Sequence, residues 1–121
     1  MTDIHHPVGQ PARLSITQTT TDGIRVLAPT GELDADNADL LRQALRVDED
    51  SPLLTVLDLG AVTFMDSSAI SVLAAARRDS DAAGGRLCMA ALTEPVQRVV
   101  EIVGLDTIIA CYPTLAEALT S

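Results

Sequence analysis

The chain has 121 residues, of which 47% are hydrophobic and only 2% aromatic, and its 17 acidic residues against eight arginines, with no lysine, give a formal charge of −9. This length is enough for one domain with a substantial buried core. The negative charge excludes nucleic acid and anionic membrane surfaces as favourable partners, and the scarcity of aromatic residues excludes a stacking platform for bases.

The first segment, residues 1–12, contains prolines, a glycine and the pair His5 and His6 but no hydrophobic period. This composition predicts a flexible arm ahead of a single domain at 13–121, and two adjacent histidines on such an arm do not indicate a metal site. The arm lacks the pattern of a secretory signal, and no apolar run reaches the roughly 20 residues that span a bilayer. The sequence therefore predicts a cytoplasmic protein without membrane contact.

Two strands and a helix are predicted to open the domain. Alternating apolar residues predict a strand over 13–19, the letters "TTDG" a turn, and a second apolar run a strand over 24–29. A short turn between two such runs is typical of an antiparallel hairpin. An amphipathic helix is then predicted over 38–47, with Asp36 or Asn37 as its N-cap.

A central strand and a long helix follow. The segment "LLTVLDL" at 53–59 is apolar on both faces, which is typical of a strand covered from both sides. A helix is predicted from Ser67 to about Ala83, and it ends at Gly84 and Gly85 because glycine suits the left-handed backbone after a helix.

The remaining elements continue the alternation of strands and helices. The letters "RLCMAAL" predict another central strand, and the next helix has Thr93 as its cap, Pro95 in its first turn and Gly104 as its stop. A final strand in "TIIACY" and a short helix in "TLAEAL" complete the chain. The order ββαβαβαβα predicts an α/β fold, in which a mixed central sheet opens with an antiparallel hairpin and carries about four helices.

Two cysteines, Cys88 and Cys111, lie in apolar strand-like segments and lack C-x-x-C spacing. This placement predicts buried, reduced side chains rather than metal ligands or a disulfide. No metal and no cofactor is predicted for the chain.

The letters "MDSS" place polar residues where the central strand gives way to the long helix. Asp66 can accept hydrogen bonds from the first N–H groups of the helix, so capping alone would explain the motif. A rotation of about 100° per residue places Ala69 toward the sheet and Ser68 on the flank. The same rotation places a set of mostly small side chains toward solvent, and we name this set the serine stripe: Ser67, Ser71, Ala74 and Arg78.

The serine stripe is predicted to be a docking surface that can be switched. A helix N-terminus favours negative charge, so a phosphate on Ser67 should leave the fold intact. The same phosphate would be buried without a counter-charge beneath a docked protein, which is strongly unfavourable.

The letters "VLDLGAVTFMDSSAISVLAAAR" and "PTGELDADNADLL" resemble the anti-sigma factor antagonist family, which consists of single STAS domains in bacteria. The resemblance covers about residues 14–119. It implies a protein that binds an anti-sigma factor, usually a serine kinase of the small ATPase type, and so frees a sigma factor for transcription in a stress response.

The resemblance also implies the residues of the switch. Ser67 would be the phosphoacceptor, Asp66 and Ser68 flank it, and Asp34 of "GELD" lies beside it. Phosphorylation by the kinase would disengage the antagonist, and a phosphoserine phosphatase would restore it, which is partner switching.

The chain departs from the family pattern at two positions, where Ala69 and Ser71 replace residues that are commonly glycine. The methyl group of Ala69 faces the sheet and mostly affects packing. Ser71 belongs to the serine stripe and can alter which kinase docks.

The same residues argue against three other functions. A hydrolase with Ser67 as nucleophile needs a base, yet the only histidines lie on the arm and the G-x-S-x-G motif is absent. A response-regulator receiver could use Asp58 but, by family resemblance, needs a lysine. A nucleotide site lacks the G-x-x-x-x-G-K-[ST] loop. The sequence thus predicts a protein that is not an enzyme.

Two questions remain open at the level of sequence. The same fold could serve as a non-phosphorylated STAS scaffold subunit of a signalling complex or as an accessory subunit of a transporter. Monomer and weak dimer are both compatible with the chain, since no exposed apolar helix face stands out.

Overall fold

The computed structural model describes residues 14–48 and 50–121, so the predicted arm and its two histidines lie outside the described residues. The described residues form one six-stranded sheet and four α-helices. The strands are β1 (Leu14–Thr21), β2 (Ile24–Leu33), β3 (Leu54–Asp58), β4 (Ala61–Met65), β5 (Arg86–Ala90) and β6 (Ala110–Tyr112). The helices are α1 (Ala38–Ala44), α2 (Ser67–Ala82), α3 (Glu94–Val103) and α4 (Leu115–Leu119), with a short 3-10 helix at Leu105–Thr107.

The sheet is mixed, as the sequence predicts. Its strand order is β1-β2-β3-β5-β6, with β4 also paired to β2. Strand β1 is antiparallel to β2, whereas the other pairs are parallel. The hairpin turn consists of Asp22 and Gly23, both at positive φ (53° and 77°), which is the backbone of the two-residue turns that match strand twist.

Helices cover the two faces of the sheet unequally. The larger core lies beneath α1, α2 and α3, and a smaller core lies beneath α4. Strand β3 serves both cores, because the side chains of Val56 and Leu57 point to opposite faces and neither is exposed. This confirms its prediction as a central strand. None of the helices in the described part of the chain is long and apolar enough to cross a bilayer.

Strand β4 was missed by the sequence analysis. Strands β3 and β4 lie one after the other along the same side of β2, so that Leu57 pairs with Leu27 and, further on, Ala61 pairs with Thr30. Pro29 lies between the residues that pair with β3 and those that pair with β4. Its lack of an N–H group therefore removes no hydrogen bond to either strand. Strand β2 continues to Leu33 instead of ending at 29 because β4 pairs with its second part.

Helix α1 ends at Ala44, three residues earlier than the predicted 47. Beyond it the carbonyl of Arg46 accepts a hydrogen bond from the Arg25 guanidinium at 3.0 Å, so the chain has left the helical path there. The predicted stops of the later helices are confirmed, since Gly84 and Gly104 have φ values of 80° and 77°.

The two cysteines differ in their surroundings. Cys88 is buried as predicted, but Cys111 is exposed, so that part of the prediction was wrong. Cys111 lies on β6, a three-residue strand at the end of the sheet, where no further strand follows. Both thiols are free. Partial burial of the sulfur, together with the charges of Asp106 and Glu101, raises the pKa of Cys111 to about 11 and keeps it protonated near neutral pH.

A buried guanidinium joins the start of β2 to β3 and to the segment after α1. Arg25 is only 7% exposed, and its Nε donates to the Thr55 hydroxyl at 3.1 Å. Desolvation lowers the pKa of Arg25, and the charge of Asp48 acts in the opposite direction. Because the buried charge has few partners, each hydrogen bond to it matters for the stability of the fold.

We predict that Thr55→Val lowers the free energy of unfolding by about 1.5–3 kcal/mol, because the shape is kept while a charged donor loses its acceptor. The matched control is Thr63→Val, since Thr63 is exposed on β4, and a change within about 0.5 kcal/mol is expected there. Urea denaturation followed by circular dichroism gives both values. Equal losses in the two variants would contradict the role assigned to Arg25.

Candidate functional site

The site lies at the edge of the sheet where β2 and β4 end side by side. Leu33 pairs with Met65 at the end of the two parallel strands, and the Asp66 N–H donates to the Leu33 carbonyl at 3.1 Å. The loop after β2 and the start of α2 therefore leave the sheet at the same place. Strand β4, which the sequence pattern does not predict, ends at this edge and so places the start of α2 there.

Asp66 is the N-cap of α2, as the sequence predicts. One carboxylate oxygen, Oδ1, accepts from the N–H groups of Ser68 at 2.9 Å and Ala69 at 3.3 Å. The other oxygen, Oδ2, accepts from the Ala35 N–H at 3.2 Å. One side chain thus joins the first turn of α2 to the loop between β2 and α1.

That loop, residues 34–37, is ordered by its own side chains. The Asp34 N–H donates to Asn37 Oδ1 at 3.0 Å, and the Asp36 N–H donates to Asp34 Oδ1 at 3.0 Å. The Asn37 amide donates to the Glu32 carbonyl at 2.7 Å. Asn37 occupies the N-cap position of α1, as the sequence predicts, but its side chain bonds the loop rather than the helix.

Ser67 is the first residue of α2 and is exposed. No described residue forms a hydrogen bond with its hydroxyl, so within the described residues that oxygen is open to solvent. Asp66 holds the backbone on both sides of it, because its N–H donates to the Leu33 carbonyl and its carboxylate accepts from the Ser68 N–H. The Ser67 hydroxyl is therefore exposed, and hydrogen bonds hold the backbone that carries it.

Three of the four residues of the serine stripe face solvent as the helical period predicts, and the fourth is less exposed than expected. Ser67, Ser71 and Arg78 are exposed, but Ala74 is half-buried and packs against the main core. Ser68 is half-buried on the flank, and Ala69 is fully buried against the sheet. Ala74 therefore adds little surface to the stripe.

A groove beside the stripe was not predicted. It lies between α1 and α2, has a volume of about 440 Å³, and is reached by Ser68, Ser71 and Ala75 from α2. From α1 it is lined by Asp39 and Arg42, which form an ion pair. The period of a single helix cannot reveal such a groove, since its shape depends on how two helices pack.

The surroundings of Ser67 are less favourable to a phosphate than the sequence suggests. A phosphate was expected to use the N–H groups of the first turn, but Asp66 already occupies two of them. Asp34 and Asp36 add carboxylates in the adjoining loop. A phosphate on Ser67 would consequently lie next to the Asp66 carboxylate, whose negative charge opposes the attraction of the helix dipole.

The residues weighed for other chemistry have structural explanations. Asp58 Oδ1 accepts from the Gly60 N–H at 3.0 Å, so Asp58 shapes the turn between β3 and β4. Within 14–48 and 50–121, no group of three or more His, Cys, Asp or Glu side chains is arranged to hold a metal ion.

Comparisons with known proteins identify the family of the chain. Residues 15–118 match the STAS domain family. The chain is 31% identical over 111 residues to the anti-sigma-F factor antagonist RsfB of Mycobacterium tuberculosis, over 91% of this chain and 90% of that protein. The crystal structure of an anti-sigma factor antagonist from Mycobacterium paratuberculosis has a TM-score of 0.80 at 34% identity, over 88% of this chain and 92% of that one.

A sulfate transporter family protein from Wolinella succinogenes has a TM-score of 0.74 at 17% identity, over 84% of this chain and 86% of that one. At that identity the likeness concerns the fold alone. The family match and the relatives above 30% identity both extend over most of the chain. The chain is therefore a STAS domain and belongs to the family of the anti-sigma factor antagonists.

Proposed function

We propose that this protein is an anti-sigma factor antagonist: it binds an anti-sigma factor in the cytoplasm and thereby releases a sigma factor for transcription. The observation that carries the proposal is the exposed Ser67 hydroxyl, which no described residue bonds, at the first position of α2. The similarity to antagonists along nearly the whole chain supports the same role. The role is one of binding rather than catalysis, because no described residue is placed to act as a base for Ser67.

The binding surface consists of the N-terminal end of α2, the groove between α1 and α2, and the loop at 34–37. Its proposed members are the serine stripe together with Asp34, Asp66 and Ser68. Exposed Ser67 and Ser71 let a partner approach the helix closely, since neither side chain is bulky. Arg78 supplies positive charge along α2, and Asp66 supplies negative charge at the start of that helix.

Phosphorylation of Ser67 switches binding off. A kinase, proposed to be the anti-sigma factor itself, transfers the γ-phosphoryl group of ATP to Ser67 Oγ, so that ADP leaves and the hydroxyl proton is released. The new group carries a charge of about −1.5 to −2. It lies beside the Asp66 carboxylate, so a docked partner would have to bury neighbouring negative charges. A phosphoserine phosphatase returns the hydroxyl and releases inorganic phosphate.

The two departures from the family pattern have different consequences. Ala69 is fully buried, so its methyl group belongs to the core and does not touch a partner. Ser71 is exposed and lines the groove. We propose that Ser71 contributes to the choice of partner.

The alternative role, a non-phosphorylated scaffold subunit or a transporter accessory subunit, has weaker support. The fold is shared with a sulfate transporter family protein, but only at 17% identity. The exposed hydroxyl and the antagonist relatives favour the switch.

Phosphorylation is expected at Ser67 and at no other position, because this hydroxyl is both exposed and held on an ordered helix start. The experiment incubates the protein with its cognate kinase and Mg-ATP and maps the phosphate by mass spectrometry. Ser67→Ala should remove the phosphate, and the control Thr107→Ala, at an exposed hydroxyl outside the proposed binding surface, should retain it. Phosphate found only elsewhere would end the assignment.

Ser67→Asp is expected to abolish most binding to the anti-sigma factor, whereas Ser67→Ala should bind nearly as well as the parent. Both variants should change the free energy of unfolding by less than about 1 kcal/mol, because the position is exposed and Asp66 retains its capping bonds. Calorimetric titration measures the binding. Loss of binding in the alanine variant alone would make the hydroxyl an anchor instead of a switch.

A further inference from the structure

Among the described residues, β1 forms a long edge of the sheet that no other element covers. At the far end, β6 is only three residues long. Along β4, the Thr93 hydroxyl donates to the Val62 carbonyl at 2.6 Å and α3 packs against the strand. Strand β1 is eight residues long, and no described residue pairs with its outer side. The backbone N–H and C=O groups that point away from β2 are therefore available to another strand.

The usual devices that protect an edge are absent from β1. Soluble proteins place charges, prolines or bulges on exposed edge strands. The strand reads "LSITQTTT", which contains neither charge nor proline. Its pairing with β2 continues without a bulge from Leu14 to Thr21. It is a regular edge about 27 Å long at 3.4 Å per residue.

The sheet surface beside this edge is also uncharged. Helix α4 packs mainly on β3, β5 and β6. On that face, β1 presents exposed Thr17 and Thr19, which pair with the half-buried Ala28 and Val26 of β2. An uncharged surface of this kind is unusual in a chain with a formal charge of −9.

We propose that the outer edge of β1 pairs with β1 of a second copy, so that the two sheets form one continuous sheet across a two-fold axis. The pairing is antiparallel, and charge explains why. Asp22 follows β1 at one end, so antiparallel strands hold the two Asp22 residues about 25 Å apart. That separation exceeds the Debye length of about 8 Å at physiological salt, whereas parallel strands would bring the two carboxylates together.

A second copy fits this edge better than other occupants. In the sequence directly before β1, residues 7–13, Pro7 and Pro11 lack N–H groups, so this part cannot supply an unbroken row of donors. A charged partner would find no counter-charge on the edge. A second β1 supplies a strand of equal length with a matching row of hydroxyl side chains.

Symmetry then restricts the register to pairings in which the two residue numbers have an even sum. A two-fold axis perpendicular to the sheet keeps each face continuous, so residues that point to the same face must lie opposite each other. In the register that pairs residues 15–21, Gln18 faces its own copy and Thr17 faces Thr19 of the second copy. Cross-strand threonine pairs of this kind stabilise a sheet. One strand pair gives an interface below about 1,200 Å², so the dimer is weak and forms at high concentration.

Analytical ultracentrifugation of the full chain tests the proposal between about 10 μM and 1 mM, the range in which a weak dimer forms. The mass should rise from 12.7 kDa toward twice that value. Gln18→Lys places like charges opposite each other at the axis and should raise the dissociation constant at least about tenfold. Gln97→Lys makes the same charge change at an exposed position on α3 and should dimerise like the parent.

A parent protein that stays monomeric at the highest concentration overturns the proposal, whatever else covers the edge. Equal behaviour of the two lysine variants also overturns it, because the dimer would then use another surface. Hydrogen exchange gives a second readout: amides of β1 should exchange more slowly at high concentration in the parent but not in Gln18→Lys. Unchanged exchange in a dimeric parent places the interface elsewhere and contradicts the proposal. None of these results depends on phosphorylation of Ser67.

Discussion

The site depends on one carboxylate. Asp66 accepts hydrogen bonds from the N–H groups of Ser68, Ala69 and Ala35, so it fixes the start of α2 and the loop between β2 and α1 at once. Hydrogen bonds to an ionised acceptor are stronger than those between neutral groups. Because Asp66 satisfies the helix end, Ser67 is not needed for capping. The hydroxyl therefore has no capping role, as the proposed switch requires.

Much of the fold could be predicted from the sequence because local signals and tertiary packing agree. The apolar run at 53–59 and the glycines after α2 and α3 mark a central strand and two helix ends, and the structure confirms them. Strand β4 could not be predicted in this way, since Gly60 interrupts the apolar pattern and the pairing of β4 with β2 is non-local. The exposure of Cys111 was missed for a related reason. Strand β6 is an edge strand because of its place in the strand order, and the composition of the segment does not reveal that place.

The candidate site was predictable only in part. The helical period correctly orients Ser67, Ser71 and Arg78, because all three lie on one regular helix. The groove with α1 depends on the packing of two helices, which no single periodicity contains. The occupied N–H groups at the start of α2 were also missed, and they change the energetics of the switch. A phosphate at Ser67 would find these two N–H groups already bonded to Asp66 and would lie next to its carboxylate, which supports the proposed release of a partner.

The most direct test of this account compares the affinity of the anti-sigma factor for the unmodified protein and for protein that carries phosphoserine at position 67, while hydrogen exchange monitors the first turn of α2. The account predicts binding that is weaker by at least about 100-fold, or roughly 2.7 kcal/mol, with the Ser68 and Ala69 amides equally protected in both forms. Equal affinities would contradict it. So would a loss of binding accompanied by melting of that first turn, because the carboxylate of Asp66 would then fail to hold the helix start that the switch requires.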